Sequence, residues 1–351
     1  MANVNYRTRE RPKMPYSYGD PSKHSKSAVR RAGDNVALRG GTPEDKEIVR
    51  NWRNSHAFVL TTFQNTLRRY IKTEDRFNVV FAQRLKRLNT ILDKLSSGRA
   101  RDLSTMHDLA GCRLIFDDID HLRQFRARFH QTRAKHKRVD NDKFDYLASP
   151  KRTGYRGIHD VFQYNVPEGS SGSVYNGLKV EIQYRTKAQH AWATAVEISD
   201  LLDGARIKFD EGANPKRERL FVLASEFIAR DREGMNGCAS QLSDADLRRE
   251  MRELEDELNV IRTLDAARRS QIDIPQQKHV VLRFHDGELV ATGFTNPKDA
   301  ISFRDSMEGA NPEDDIVYVS ASSPRAVADA FRNYFRDAVD FVEMIRPALI
   351  A

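Results

Sequence analysis

The chain has 351 residues, 58 Lys and Arg against 50 Asp and Glu for a net charge of +8, and 39% hydrophobic residues. That is long enough for two domains, or for one domain with an appended module, and no apolar run approaches the roughly 18 to 20 residues that cross a bilayer. Cys112 and Cys238 are too few and too far apart for a disulfide framework or a zinc site, while the positive surplus suits polyanionic partners such as nucleotides or RNA.

Residues 1–24 carry Pro, Ser, Tyr and Arg without a hydrophobic period, and read as a flexible basic arm. The arm lacks the apolar stretch of a signal peptide, so a cytoplasmic location is expected, with no membrane partner. Ser25 or Ser27 can cap a short helix bearing Val29, Ala32 and Val36, closed by Gly40 and Gly41. A longer helix starts at Thr42 with Pro43 in its first turn, and Ile48, Trp52, Val59, Phe63 and Leu67 recur at helical spacing as a core stripe. Arg84, Lys86, Arg87 and Lys94 then gather near one predicted helix. Such a cluster reads either as solvated surface or as an anion site.

Next, Asp108 stands on a helix-like turn before Gly111 and an apolar strand, with Asp117 and Asp118 beyond its end. A carboxylate at the lip of a buried strand is a candidate ligand for a hard cation, or a plain surface acid. A turn at Pro150 and Gly154 leads into a strand from Ile158 to Tyr164, placing Tyr155 and His159 four residues apart at its mouth. Tyr155 offers a flat face to a base, or packs on the sheet edge. From Leu178 the pattern alternates strictly. Leu178, Val180, Ile182 and Tyr184 take one face, and Lys179, Glu181, Gln183 and Arg185 take the other. That polar face is either solvated or built to hold a phosphate with its metal ion, and Gln183 and Arg185 are placed to orient Glu181. Trp192, Val196 and Leu202 follow as the core side of a helix.

A helix from Ser243 carries Leu247, Met251, Leu254, Leu258, Ile261 and Leu264, a seam that wants a partner helix. Beyond Pro275 a small module is predicted: strands at 280–284, 289–292 and 316–319, and helices from Pro297 and Pro324. The His-Asp pairs at His107, His159 and His285 each have another explanation in their surroundings and are not read as metal sites.

Arg84-x-Lys86 with Lys94, then Asp108-Leu-Ala-Gly-Cys-Arg113, then Gly154-Tyr-Arg-Gly-Ile-His159, then Glu181-Ile-Gln-Tyr-Arg-Thr186 with His190-Ala-Trp-Ala193, resembles in this order the pyrophosphokinase domain of the RelA/SpoT alarmone synthetases. The resemblance runs from about 75 to 200 and implies an α/β (α+β) domain with a nucleotidyltransferase-like mixed sheet flanked by helices. It also implies transfer of the β,γ-pyrophosphate of ATP to a ribose 3′-hydroxyl, with AMP leaving. On the same ground Arg84, Lys86 and Lys94 would hold ATP, and Asp108 and Glu181 would bind Mg²⁺. Tyr155 would stack on the acceptor base, Lys151 and His159 would contact the acceptor nucleotide, and Glu181 would help deprotonate the attacking hydroxyl. The residue types suit such a transfer, which needs cations and a carboxylate-held ion but no covalent nucleophile. Fewer than eighty residues precede the first motif, so the hydrolase domain of dual-function members is not expected.

The cysteine-free tail and the Ser25-Lys-Ser-Ala-Val-Arg-Arg-Ala-Gly33 segment resemble the fused toxin–antitoxin members of the family, the CapRel type, whose C-terminal module is a pseudo zinc finger. That likeness implies a toxin domain at 25–240, a helical linker at 241–275 and an antitoxin or sensor module at 276–351. It further implies self-inhibition relieved by a phage protein, usually the major capsid protein, and the 3′-terminal adenosine of tRNA as acceptor. Arg133, Lys135, Lys137 and Arg138 would then meet tRNA phosphates, or are a solvated loop. Phe331 and Tyr334 stand where the fused type often has two self-blocking tyrosines, and here the first lacks its hydroxyl. The alternative acceptor is GTP or GDP, giving a guanosine alarmone. Thr153, in place of an Asn common in GTP-using synthetases, argues slightly against it because Thr cannot offer an amide's paired donor and acceptor.

Overall fold

The computed structural model describes residues 18–74, 77–86, 88–132, 136–202, 214–269, 277–285, 288–310, 315–320 and 339–350. Its central sheet contains β1 (Val80–Leu85), β2 (Ala110–Phe116), β3 (Lys137–Arg138), β4 (Ile158–Gln163) and β5 (Lys179–Thr186), in the order β1-β2-β5-β4-β3. β2 and β5 run parallel and the other neighbours antiparallel, so the sheet is mixed within an α+β fold.

Local signals place the helices in front of it. Ser25 accepts from the Ala28 amide to start α1 (Lys26–Arg39), which ends at left-handed Gly40. Thr42 and Asp45 cap each other's backbone to start α2 (Pro43–Thr73), with Pro43 in the first turn. The apolar stripe of α2 is buried as expected, against the sheet face formed by Cys112, Leu114, Phe116, Val180, Ile182 and Tyr184. α4 (Ile119–His130), capped by Asp118, closes the same core with Leu122, Phe125 and Phe129. The cysteines are free, and burial pushes the Cys112 thiol up to about 12, which leaves it inert.

Two expectations change near the N-terminus. Of the arm, residues 1–17 lie outside the described residues, but the stretch from Tyr18 to His24 is docked. The Asp20 amide donates to Asn51 Oδ1 at 3.0 Å, and Asn51 Nδ2 donates back to the Asp20 carbonyl at 2.7 Å. In the basic cluster, Arg84 lies on a strand, and α3 (Leu88–Ser96) begins only after it. The strand pairs along its length with β2, and that pairing overrides the helix-like spacing of its charges.

A second core forms from α5 (Lys187–Leu202), α6 (Pro215–Glu233), α7 (Asp244–Leu258) and α8 (Val260–Arg269). The seam predicted from Ser243 breaks at Asn259, which is left-handed at φ 53°. Glu255, almost fully buried, accepts from the Ile261 and Arg262 amides at 2.8 and 2.9 Å and so caps the second helix. Leu247, Met251, Ile261 and Leu264 are buried in this cluster, so the seam finds its partners within the chain. The module beyond it has a three-stranded antiparallel sheet β7-β6-β8, from β6 (His279–His285), β7 (Glu288–Phe294) and β8 (Asp315–Ser320), with α9 (Pro297–Ala310). The helix expected from Pro324 falls outside the described residues. A last helix, α10 (339–350), joins the second core through Phe341, Val342, Ile345 and Ala348. The expected divide near 240 therefore falls inside one hydrophobic cluster. Burying Phe341 and Ile345 contributes about 2 kcal/mol each. Among the described residues no helix is long and apolar enough to cross a membrane.

One buried side chain makes the first core sensitive to pH. His56 is enclosed in α2, and burial pulls its pKa from 6.5 down to about 4, against the opposing hydrogen bond to the Trp52 carbonyl. The unfolded chain takes up a proton below pH 6.5 that the folded chain refuses, so this stability is complete above pH 6.5 and is lost as pH falls toward 4. Urea unfolding at pH 7.5 and 5 is expected to differ by about 2 kcal/mol from this site alone. In His56→Gln that share of the difference should vanish, and an unchanged difference would contradict it.

Candidate active site

The period of β5 divides its side chains as the alternation predicts. Val180, Ile182 and Tyr184 are fully buried, and Lys179, Glu181 and Gln183 face the other way, partly open. Register carries that division across the sheet. Glu181 pairs with Gly111 and Val161, Gly111 with Arg84, and Gln183 with Arg113 and His159. Directly paired residues share a face, so the strands present Arg84, Arg113, Lys179, Glu181, Gln183, Arg185 and His159 together. Glu181 is the single acid among the described strand residues of that face. His159 and Asp160 leave β4 on opposite sides. Asp160 is buried on the core side, where Arg126 donates at 2.7 Å and His130 lies at 2.6 Å.

At one end of this face Asp108 is held by two ammonium groups. Lys86 Nζ lies 2.8 Å and Lys94 Nζ 2.6 Å from the same oxygen, Oδ2. Lys86 is anchored by its backbone: its amide donates to Leu109, and Arg53 donates to its carbonyl at 2.6 Å. Burial works against the Asp108 charge, yet the two lysines hold its pKa below the usual carboxylate value. Burial also lowers Lys86, and Asp108 offsets that only in part. Two cations on one carboxylate leave a net positive charge, to which Arg84 adds on the exposed part of β1. Oδ1 of Asp108 makes neither lysine contact and, with Glu181, supplies the hard oxygen donors that Mg²⁺ takes. The donor set therefore fits that ion.

On the other side of the face Tyr155, His159 and Arg185 form one connected set that reaches Glu181 between the two groups. His159 Nε2 lies 2.6 Å from the Tyr155 oxygen, and His159 Nδ1 lies 3.4 Å from Glu181 Oε2. Gln183 donates to Glu181 Oε1 at 2.5 Å, and Arg185 donates to the Tyr155 oxygen at 2.9 and 3.2 Å. Burial alone would lower His159, but the Tyr155 oxygen and the Glu181 carboxylate raise it to about 9. Burial alone would raise Glu181, and charged His159 holds it well below the carboxylate range. Burial would likewise raise Tyr155, and Arg185 followed by His159 pulls it down to about 7.

The turn before Tyr155 is built for this placement. Gly154 is left-handed at φ 88°, and a Cβ there would meet Trp192 at 3.0 Å and the Val222 backbone at 3.1 Å. Gly154 donates to the Lys151 carbonyl at 2.9 Å, and the Lys151 amide donates to the Tyr155 carbonyl at 3.1 Å. Lys151 Nζ, at the exposed edge, sits 4.6 Å from the Tyr146 ring centroid and 5.3 Å from that of Tyr155. Arg185 lies 5.0 Å from the Tyr155 centroid. A base stacking on Tyr155 would take ring surface now shared with these cations, of which exposed Lys151 is free to move aside. Buried Arg156 pairs with Glu233 at the end of α6, which also accepts from Thr186 and Gln189 at 2.6 and 2.9 Å.

The structure thus brings Arg84, Lys86, Lys94 and Asp108 to the β1 side of the face and Lys151, Tyr155 and His159 to the β4 side, with Glu181 on β5 between them. Phe331 and Tyr334, expected as a self-blocking pair, lie outside the described residues, as do Arg133 and Lys135. Lys137 is exposed, but Arg138 is bound to Asp142 at 2.7 Å and is not free for phosphate. Sequence reading passed over Arg113, half-buried between Gln183 and Arg185, where burial and Arg185 lower its pKa to about 10. Its signal was available: a period of two through Gly111, Arg113 and Ile115 puts a lone cation on the open face of an apolar strand. Tyr146, edge-on to Tyr155 and His159 at 5.6 and 5.5 Å, had no such signal.

With this geometry, residues 83–199 match the family model described as the region found in RelA / SpoT proteins. The uncharacterized protein Rv1366 of Mycobacterium tuberculosis is 30% identical over 189 residues, 53% of this chain and 63% of that protein. The GTP pyrophosphokinase YjbM of Bacillus subtilis is 33% identical over 113 residues, 32% of this chain and 51% of that protein. The chain thus spans less than two thirds of each of these relatives. Among solved structures, small alarmone synthetase 1 from Bacillus subtilis aligns with a TM-score of 0.41 and 24% identity, over 50% of this chain and 87% of that one. Small alarmone synthetase 2 from the same organism gives 0.42 and 22%, over 52% and 92%.

The Tyr155 oxygen supplies a local test. Arg185 is the largest influence lowering it, so Arg185→Met is expected to move Tyr155 upward from about 7, because burial is then opposed only by His159. Tyrosinate absorbance followed through a pH titration reads the shift. A titration near 7 that survives the substitution would contradict the assignment.

Proposed function

We propose that the chain is an ATP-dependent pyrophosphokinase that moves the β,γ-pyrophosphate of ATP onto a ribose 3′-hydroxyl. The observation that carries this reading is the open sheet face, where one acid, Glu181, stands among Arg84, Arg113, Lys179, Arg185 and His159, with the Lys86–Asp108–Lys94 group at its edge. The acceptor oxygen bonds to the β-phosphorus, the bond between that phosphorus and the α,β-bridging oxygen breaks, and AMP leaves with the bridging oxygen. Lys86, Lys94 and Arg84 neutralise the phosphates of ATP, and Asp108 and Glu181 would hold Mg²⁺, which would spread the charge of the transferred group. Glu181 is held ionised by His159 and is a weak base. Its part is to accept the hydrogen bond of the attacking hydroxyl and fix its direction, which suffices for a loose transition state in which the proton departs late, to water.

The acceptor we assign is the 3′-terminal adenosine of tRNA, whose modification blocks translation. The acceptor side supports this through exposed Lys137, Lys143, Lys151 and Arg152, which suit a chain of phosphates. On the CapRel likeness, the module after 276 restrains this toxin in the cytoplasm until a phage structural protein, the major capsid protein foremost, engages it in anti-phage defence by abortive infection. The second reading is a GTP or GDP acceptor and a (p)ppGpp-type product, favoured by the similarity to the GTP pyrophosphokinase YjbM of Bacillus subtilis.

The test uses ATP labelled at the γ-phosphate with deacylated tRNA, GDP or GTP, each with and without a capsid protein. Label in tRNA is expected. Label only in guanine nucleotides would replace the first acceptor by the second.

A further inference from the structure

Resting on the pyrophosphokinase reading, we infer that the C-terminal helix α10 positions the acceptor-side tyrosine through a continuous aromatic ladder, Phe341–Phe221–Trp192–Tyr155. Phe341 is fully buried and stacks on Phe221 of α6, with centroids 5.8 Å apart and planes at 29°. Phe221 meets Trp192 of α5 edge-on at 6.4 Å, and the Trp192 indole nitrogen donates to the Phe221 carbonyl at 2.8 Å. Trp192 in turn lies 6.4 Å from Tyr155. The last step is enforced by backbone: Gly154 rests on Trp192 and Val222 with no room for a Cβ, and Ser225 of α6 donates to the Gly154 carbonyl at 2.6 Å. Tyr155 is thereby attached to the second core, to which α10 also belongs, while Lys86 is anchored to the first through Leu109 and Arg53 and, with Lys94, holds Asp108.

This division makes α10 a positioning element for the acceptor half alone. Close packing passes a displacement of Phe341 to Phe221 and Trp192 without a gap to absorb it. The Lys151–Tyr155 turn then shifts relative to Glu181, whose strand is fixed by the first core. A tail removed at residue 271 takes Phe341 with it, so that truncation is expected to weaken acceptor binding and not simply to release activity.

The test compares full-length Phe341→Ala and Phe341→Leu with Ile345→Ala, which removes buried volume from the same helix but no rung of the ladder. Phe341→Leu keeps apolar bulk and decides the matter if the alanine variant fails to fold. With the acceptor that takes the label, deacylated tRNA or GDP, KM for the acceptor is expected to rise about threefold to tenfold in the Phe341 variants, the worth of one aromatic contact. KM for ATP should stay within about twofold, and Ile345→Ala should leave both KM values within about twofold, well inside one tenfold step of affinity. Equal effects of Phe341 and Ile345 variants on the acceptor, or an effect of Phe341 on ATP alone, would overturn the ladder. A wild-type protein that transfers no label to either acceptor, with the capsid protein present as well as without it, would overturn the pyrophosphokinase reading instead. The ladder is then judged by quenching of Trp192 emission on titration with GDP or tRNA, in a Trp52→Phe background. Weaker binding in Phe341→Leu than in Ile345→Ala supports it, and equal binding refutes it.

Discussion

The site depends on the two-residue period of one strand. β5 buries Val180, Ile182 and Tyr184 completely, and a slip of one residue would put three charged or amide side chains into that core. The core therefore locks the register, and the register sets Glu181 beside Gly111 and Val161, and Gln183 beside Arg113 and His159. Gly111 contributes no side chain between Glu181 and Arg84, which leaves a trough across the sheet in which a polyphosphate can lie near Glu181, the single acid among the described strand residues of that face. Hydrophobic burial, with no chemistry of its own, thus fixes the direction of every reactive group.

Charge is then arranged in two unequal groups. The Lys86–Asp108–Lys94 group has more cation than anion and is tied to the first core. The Tyr155–His159–Glu181 group is nearly balanced, each member shifting its neighbour: His159 is raised, while Glu181 and Tyr155 are lowered. On the proposed reading the first group would meet a phosphate chain, and the second would hold an uncharged hydroxyl in place. That asymmetry matches a donor that arrives carrying charge and an acceptor that must be aimed.

Much of this was legible in the sequence because it rests on short-range rules. The caps at Ser25 and Thr42, the stripe of α2 and the alternation of β5 are local patterns, and each appears where the residues predict it. The strand at Val80–Leu85 was hidden by its polar residues, since Gln83 and Arg84 imitate a helix face and only pairing with β2 decides the matter. The break at Asn259 was hidden because the apolar spacing continues through it, while the buried Glu255 cap is a tertiary effect. Within the site, Arg113 followed from alternation, whereas Tyr146 approaches Tyr155 only through the folding of a loop, for which no period exists. The self-blocking pair at Phe331 and Tyr334 lies outside the described residues.

The second core gives the C-terminal segment a structural part as well as the regulatory one proposed for it, because α10 completes the packing of α6 and α5. The proposed reaction transfers a pyrophosphate rather than a phosphate, and the most direct measurement is which adenine nucleotide leaves. Purified protein with ATP, Mg²⁺, the acceptor that takes the label and the capsid protein that releases it should form AMP in step with labelled acceptor. Glu181→Gln should form about a hundredfold less while still binding ATP, the usual scale for losing one positioned group in a transition state. Release of ADP in place of AMP, or full activity in Glu181→Gln, would contradict the account.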